Sequence, residues 1–197
     1  MTSEPWKKCV SQKRDDRQCV CVNVIHRAGD AAARTAGTNA AQNFQNMVSS
    51  AGNVARCCPF LRVDIHYCTI NAATWMRVIV PAIGADNAIS SEGEAVALDR
   101  VNPCTRANCI NLTIVTINIP GTLGLTDIGP PGNSAIDPTA SATDPNVGAH
   151  ELGHAMGLNH NDSSRDNVMT TSTIPSGNNF TPAECRIIWQ NLGNYPC

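Results

Sequence analysis

The order of predicted elements points to an α+β domain: a twisted mixed sheet with helices packed behind it. Three observations carry this expectation. Runs rich in β-branched residues at 19–26, 62–70 and 110–119 read as strands. A long segment with helical periodicity follows the first run, and two capped helices close the chain. At 197 residues and 42% apolar content, the chain can bury one substantial core but hardly two. With only 15% charged residues, it does not have the composition of a disordered chain.

The polar lead-in 1–18 is expected to be irregular, anchored by Cys9. The first strand is Cys19 to His26. Asp30 can cap a helix to about Ala51, whose Ala40, Phe44, Met47, Val48 and Ala51 share a face, and Gly52 can end it. Residues 62–70 alternate like a half-buried strand, and 75–80 (Trp-Met-Arg-Val-Ile-Val) is expected to pair with them as a hairpin. A long loop over 81–109 precedes the strand 110–119. Short strands are expected within 121–128 and 132–137. Asp144, Pro145 and Gly157 mark the start and exit of the next helix. Its Ala149, Leu152 and Met156 should pack on the sheet, with His150, Glu151 and His154 on the other side. After a loop-rich stretch over 158–180, Thr181-Pro182-Ala183-Glu184 reads as a capping box opening a helix to about Leu192.

Ten cysteines spread over the chain indicate disulfides and an oxidising, extracellular compartment, since no C-x-x-C pairs suggest metal clusters. The N-terminus lacks an apolar signal core, so the sequence reads as a mature secreted chain with a start Met. Cys104–Cys109 and Cys185–Cys197 are the pairs favoured by proximity, and the adjacent Cys57 and Cys58 should bond to different partners. A net charge of −2 provides no field for nucleic acid or an anionic membrane, and no segment is long and apolar enough to span a bilayer. The chain is expected to act as a monomer.

The informative stretch is His150-Glu151-Leu152-Gly153-His154-Ala155-Met156-Gly157-Leu158-Asn159-His160. Residues four apart on a helix are neighbours, so His150 and His154 can reach one ion. Glu151 then sits beside the metal without having to bind it. Gly157 allows the turn that brings back His160 as a third ligand. Three protein ligands leave a fourth position open, as in a catalytic zinc site. Three of the five histidines fall in this window, which weighs against a surface helix with incidental histidines.

This extended pattern resembles that of the metzincin metalloproteases. The resemblance implies one catalytic Zn2+ held by His150, His154 and His160, with Glu151 as general base and acid. It also implies a methionine turn, matched by Met169 in Asn167-Val168-Met169. The specific likeness covers about residues 145–170. A weaker one, in 110–119, Leu123-Gly124-Leu125 and Ser134-Ala135-Ile136, is closest to pappalysin-like and related members. Two features depart from the family. Thr171 stands where some branches carry a zinc-facing Tyr, and the segment from His160 to Met169 is short.

The resemblance implies a single catalytic domain of sandwich-like α/β character, with an upper part at about 1–157 and a small lower part at about 158–197. It further implies a protein or peptide substrate lying extended along an edge strand within Gly121–Ile128. Gly124, Leu125 and Thr126 would contact it there, and Thr171 and Thr173 would line a specificity pocket. The expected function is that of a secreted zinc-dependent endopeptidase. Two alternatives stay open: a disulfide-rich secreted binding protein or toxin on this scaffold, and a zinc hydrolase acting on something other than peptides.

Other features carry blander expectations. His26 and His66 are structural. Asp86, Glu92, Glu94 and Asp99 offer oxygens to calcium, but their spacing matches no calcium loop. The basic residues Lys7, Lys8, Lys13, Arg14 and Arg17 form a solvated face. Asn111, Asn161 and Asn179 head glycosylation sequons by pattern alone.

Overall fold

The computed structural model describes residues 19–49, 61–101, 103, 104, 106, 108–129, 132–171 and 177–197. The expectations for the lead-in with Cys9, for Gly52, for Cys57 and Cys58, and for Thr173 fall outside these residues. The fold is mixed α/β, as expected. Its main sheet has the order β2-β1-β4-β7-β6, built from β1 (Cys19–Arg27), β2 (Arg62–Ile70), β4 (Ile110–Ile114), β6 (Gly124–Thr126) and β7 (Asn133–Ile136). All neighbours are parallel except the β6–β7 pair, which makes β6 an antiparallel edge strand.

Strand β1 is an interior strand between β2 and β4 and is buried almost throughout. A continuous apolar run suits a parallel strand covered on both faces. Val20, Val22 and Val24 face one core with Ile110, Leu112, Ile114 and Ile136, while Ile25, Val115 and Ala135 face a second. The first core is closed by helix α1 (Ala31–Ser49), with Asp30 Oδ1 accepting the Ala33 N–H at 2.9 Å as a cap. Gly37 lets α1 settle onto the sheet, because a Cβ there would lie 2.4 Å from Val24 Cγ1.

The second core corrects the expectation of a hairpin at 75–80. That segment is helical instead: α2 (Ala72–Val78) runs into the short α3 (Val80–Ile83). Asn71 Oδ1 caps α2 through the Thr74 N–H at 2.8 Å. Trp75, Ile79 and Ile83, four residues apart, are all buried on one side. The β-branched run 78–80 suggested a strand, but tertiary burial of this stripe outweighs local propensity.

Nor is 81–109 a plain loop. It contains β3 (Ala88–Ile89) and helix α4 (Glu92–Asp99), which is capped by Ser91. Strand 110–119 is interrupted at Val115. Its continuation, β5 (Thr116–Ile117), leaves the main sheet to pair with β3.

Both predicted disulfides are replaced by others. Cys21 bonds Cys109, Cys68 bonds Cys104, and Cys19 bonds Cys197. Strand register accounts for the first: Val22 pairs with Ile110, so the preceding residues Cys21 and Cys109 lie side by side, with Cα atoms 4.6 Å apart. Cys185 is disulfide-bonded too, but not to Cys197. No helix among the described residues is long and apolar enough to cross a membrane.

Candidate metal centre

The motif helix α6 (Val147–Ala155) follows the short α5 (Ala140–Thr143). Its start differs from expectation. Asp144 closes α5, and its Oδ1 accepts the Asn146 N–H at 2.9 Å, so Asn146 is the residue before the first turn of α6. Ala149, Leu152 and Met156 enter the main core as expected. The opposite face is also largely covered, with Glu151 and His154 both buried.

Gly157, at φ 88°, adopts the left-handed conformation that ends the helix. The Leu158 N–H donates to the Gly153 carbonyl (3.0 Å) and the Gly157 N–H to the His154 carbonyl (2.8 Å), a Schellman closure. This turn aims the Leu158 carbonyl at His154 Nδ1, 2.6 Å away. It also returns the chain so that His160 faces the helix.

The three imidazoles converge. His154 Nε2 lies 3.0 Å from His150 Nε2 and 3.2 Å from His160 Nε2. His150 Nδ1 is 2.7 Å from the Val168 carbonyl. A carbonyl only accepts, so Nδ1 carries the proton in both His150 and His154, and each Nε2 presents a bare lone pair. Two lone pairs cannot hydrogen-bond to each other, and a shared cation resolves their juxtaposition. Tetrahedral ligation at about 2.0–2.1 Å places ligand nitrogens about 3.3 Å apart, close to these separations. The donor set therefore fits zinc. Among the described residues it is the one cluster of His, Cys, Asp or Glu arranged to hold a metal. Burial lowers the pKa of His150 and brings that of His154 down to about 4, which keeps both rings in the neutral, ligand-competent form.

Glu151 lies between α6 and the edge strand. Burial pushes its pKa up to about 7, and the hydrogen bond from Thr126 opposes that rise. Gly124 makes room for it: a Cβ there would lie 2.5 Å from Glu151 Oε1. A cleft of about 450 Å³ runs from Gly121–Thr126 and Ile128 across His150, Glu151, His154 and His160 to Thr170 and Thr171.

The Met169 segment is tied to the segment that follows His160, since the Asn161 N–H donates to the Met169 carbonyl at 2.8 Å. Met169 is fully buried, and its sulfur abuts Gly153, where a Cβ would be 2.6 Å away. A network that sequence reading missed holds this region. Helix α7 (Pro182–Asn191) opens with the expected capping box, and the Glu184 carboxylate also reaches back. It accepts from Asn161 Nδ2 (2.7 Å), from Asn167 Nδ2 (3.0 Å to each oxygen) and from the Thr181 N–H (2.6 Å). Asp162 is the other missed residue. Its carboxylate accepts from the Thr171 N–H (2.7 Å) and from the hydroxyls of Thr170 (3.0 Å) and Thr171 (2.8 Å), and these bonds lower its pKa.

The remaining sequence candidates are placed as follows. Gly124, Leu125 and Thr126 all line the cleft. The Leu125 side chain packs against the second core, whereas Gly124 and Thr126 face Glu151. Thr171 lines the cleft with its hydroxyl engaged by Asp162. His26 is buried with Nε2 3.1 Å from Thr69 Oγ1. Of the acidic set, Asp86 and Glu94 take hydrogen bonds from Ser90. Asn111 is buried in the sheet beside Asn23, which leaves no room for a glycan.

No protein-family model matches the sequence, and comparison with curated proteins finds no match. Solved structures do match the fold. An archaemetzincin from Methanopyrus kandleri superposes with a TM-score of 0.52 at 14% identity, over 92% of this chain and 98% of the other. A structure described as a chaperone-substrate complex matches with a TM-score of 0.50 at 13% identity, covering 92% of this chain but 35% of the other. At these identities the likeness is one of fold: an archaemetzincin-like mixed α/β fold with a histidine triplet able to hold a metal ion.

Proposed function

We propose that this chain is a secreted zinc-dependent endopeptidase of metzincin type. The observation that carries the reading is the convergence of three histidine Nε2 atoms beside a buried carboxylate, at the floor of a cleft bordered by an edge strand. The name of the first structural neighbour agrees with the family that the motif resembles. Disulfides on β1, β2 and the C-terminus support an oxidising compartment.

His150, His154 and His160 would hold the zinc, which supplies Lewis acidity toward a peptide carbonyl and toward water. Glu151 takes a proton from the attacking water and delivers it to the leaving amine. Its burial suits it to hold that proton between the two transfers. Among the described residues, strand β6 pairs only with β7 in the main sheet, so its outer edge can accept an extended peptide by backbone pairing. The cleft then runs between the part of the chain up to 157 and the part from 158 onward.

Zinc content per chain and cleavage of a quenched peptide library, with and without chelator, test the reading together. One zinc per chain with chelator-sensitive internal cleavage is expected. Glu151→Ala should retain zinc and lose about 10²–10⁴-fold in turnover, and His154→Ala should lose the metal. One zinc without peptide cleavage favours the binding-protein alternative. A fully active Glu151→Ala variant refutes the mechanism.

A further inference from the structure

We propose that Thr126, supported by Ser134, is the positioning residue for the Glu151 carboxylate, so that the edge strand holds the general base as well as bordering the substrate cleft. This rests on the endopeptidase reading. Thr126 Oγ1 lies 2.6 Å from Glu151 Oε2. No other side chain hydrogen-bonds that carboxylate among the described residues. Ser134 Oγ lies 2.9 Å from Thr126 Oγ1 and 3.4 Å from the Glu151 backbone carbonyl.

The chemistry follows from the donors available. A hydroxyl has one proton to give and two lone pairs to accept with. Thr126 gives its proton to Glu151 Oε2, so the Ser134 hydroxyl donates to Thr126. One oxygen of the carboxylate is fixed in this way, and Oε1, which accepts from no side chain among the described residues, is left to face the attacking water. Gly124 completes the seat. The Glu151 carboxyl fills the space that a side chain at 124 would occupy, so strand β6 fixes it from two positions on one face.

The test compares Thr126→Val, which keeps the shape and removes the hydroxyl, with Thr126→Ser, which keeps the hydroxyl. Thr126→Val should lower kcat at least about 10-fold by releasing the base from its attack geometry. KM and zinc content should stay unchanged, and Thr126→Ser should recover most of the loss. A second readout is independent of turnover. In a thermal double-mutant cycle on the full chain, zinc-loaded and after chelation, Thr126→Val should lower Tm by about 3–10 °C. In the Glu151→Ala background the same change should cost about 1 °C or less.

Additive Tm losses overturn the proposal, and so does a Thr126→Val variant with unchanged kcat. A loss confined to KM assigns Thr126 to substrate contact and also overturns it. Equal losses for Val and Ser assign the effect to packing of the methyl group, with the same consequence. If the unaltered chain cleaves nothing, the endopeptidase reading fails, and the thermal cycle alone decides whether Thr126 holds Glu151.

Discussion

Glu184 should prove one of the most costly residues after 157 to replace, although it lies outside the motif. Its carboxylate is buried, and its partners among the described residues are all neutral donors: two asparagine amides and one backbone N–H. Glu184→Gln keeps the shape but turns one oxygen into an NH2. At the Oε1 position this group would face the donors of Asn161 and Asn167, and at Oε2 those of Asn167 and Thr181. Neither orientation avoids setting donor against donor. Hydrogen bonds to a charged group contribute about 1.5–3 kcal/mol each. Losing two and weakening the rest should cost about 3 kcal/mol, or about 6–12 °C in Tm for a chain of this size. Glu184→Ala should cost more, because all three donors lose their acceptor and Asn167 is buried. Thr181→Ala removes only the cap and should cost about 1 kcal/mol. The assay is thermal unfolding with disulfides intact, paired with zinc titration. Asn161 adjoins His160, so loosening it should weaken zinc binding about 10-fold. A Glu184→Gln variant within about 2 °C of the parent would refute the reasoning. If Thr181→Ala cost as much as Glu184→Ala, the stabilisation would reside in the cap and not in the network.

Two further predictions concern stability away from the cleft. Replacing Cys19 and Cys197 together opens a crosslink spanning 178 residues. It should cost about 3–5 kcal/mol in unfolding titrations, and a cost under about 1 kcal/mol would contradict the structural role assigned to the bond. Asp99, at the end of α4, has its pKa pushed up to about 7 by burial and by the nearby Asp127 carboxylate. Its folded value thus lies above its unfolded one. The associated stability is fully present below about pH 4 and is lost as pH rises through about 7. Asp99→Asn should therefore raise Tm at pH 8 and leave it unchanged near pH 4; a gain equal at both pH values would contradict the assignment.

Much of the fold was legible because local and tertiary signals agreed. The strands at 19–26 and 62–70, the first helix and the capping box at Thr181 all combine a regular period with a stop or start residue. The segment 71–99 failed because two signals competed. Val78, Ile79 and Val80 argue for a strand, while Asn71 as a cap and the Trp75, Ile79, Ile83 spacing argue for helix. The four-residue stripe faces a core whose existence depends on strands elsewhere in the chain. Ser91 followed by Glu94 is a helix-start signal within that segment, and α4 begins there. The cysteine pairing was not legible, because proximity in sequence is irrelevant once parallel register sets Cys21 beside Cys109. At the site, the histidines and Glu151 stand in one short window, and local helix geometry accounts for their approach. Two of their supports, Thr126 and Glu184, come from other segments. No spacing rule points to a residue whose partner lies 23 or 25 positions away.

The motif alone therefore does not explain the convergence of the three imidazoles. Helix α6 has nine residues, too few to be stable in isolation. Its rigidity must come from what surrounds it, and much of that comes late in the chain. At its start, Asn146 Nδ2 donates to Asn178 Oδ1 (2.7 Å) and to the Gly177 carbonyl (3.2 Å). In its middle, Gly148 lies against Ala40 of α1 and Gly153 against Met169. Beyond its end, Asn191 Nδ2 donates to the Met156 carbonyl (2.8 Å), and the Tyr195 hydroxyl donates to the Ala155 carbonyl (3.0 Å). That hydroxyl also accepts the Gly132 N–H (2.7 Å), and the Tyr195 carbonyl accepts from Cys21 in β1 (3.0 Å). The last turn of the motif helix, strand β1 and the C-terminus are thus joined through one tyrosine. The Cys19–Cys197 bond closes the same junction two residues further on. The two glycines let α6 sit close to its neighbours, and the bonds from Asn191 and Tyr195 satisfy carbonyls that the end of a short helix leaves open. Geometry accurate enough for three nitrogens to share an ion is in this fold a property of the closed chain. The eleven-residue window supplies the three imidazoles, and the last forty residues supply much of the rigidity that aims them.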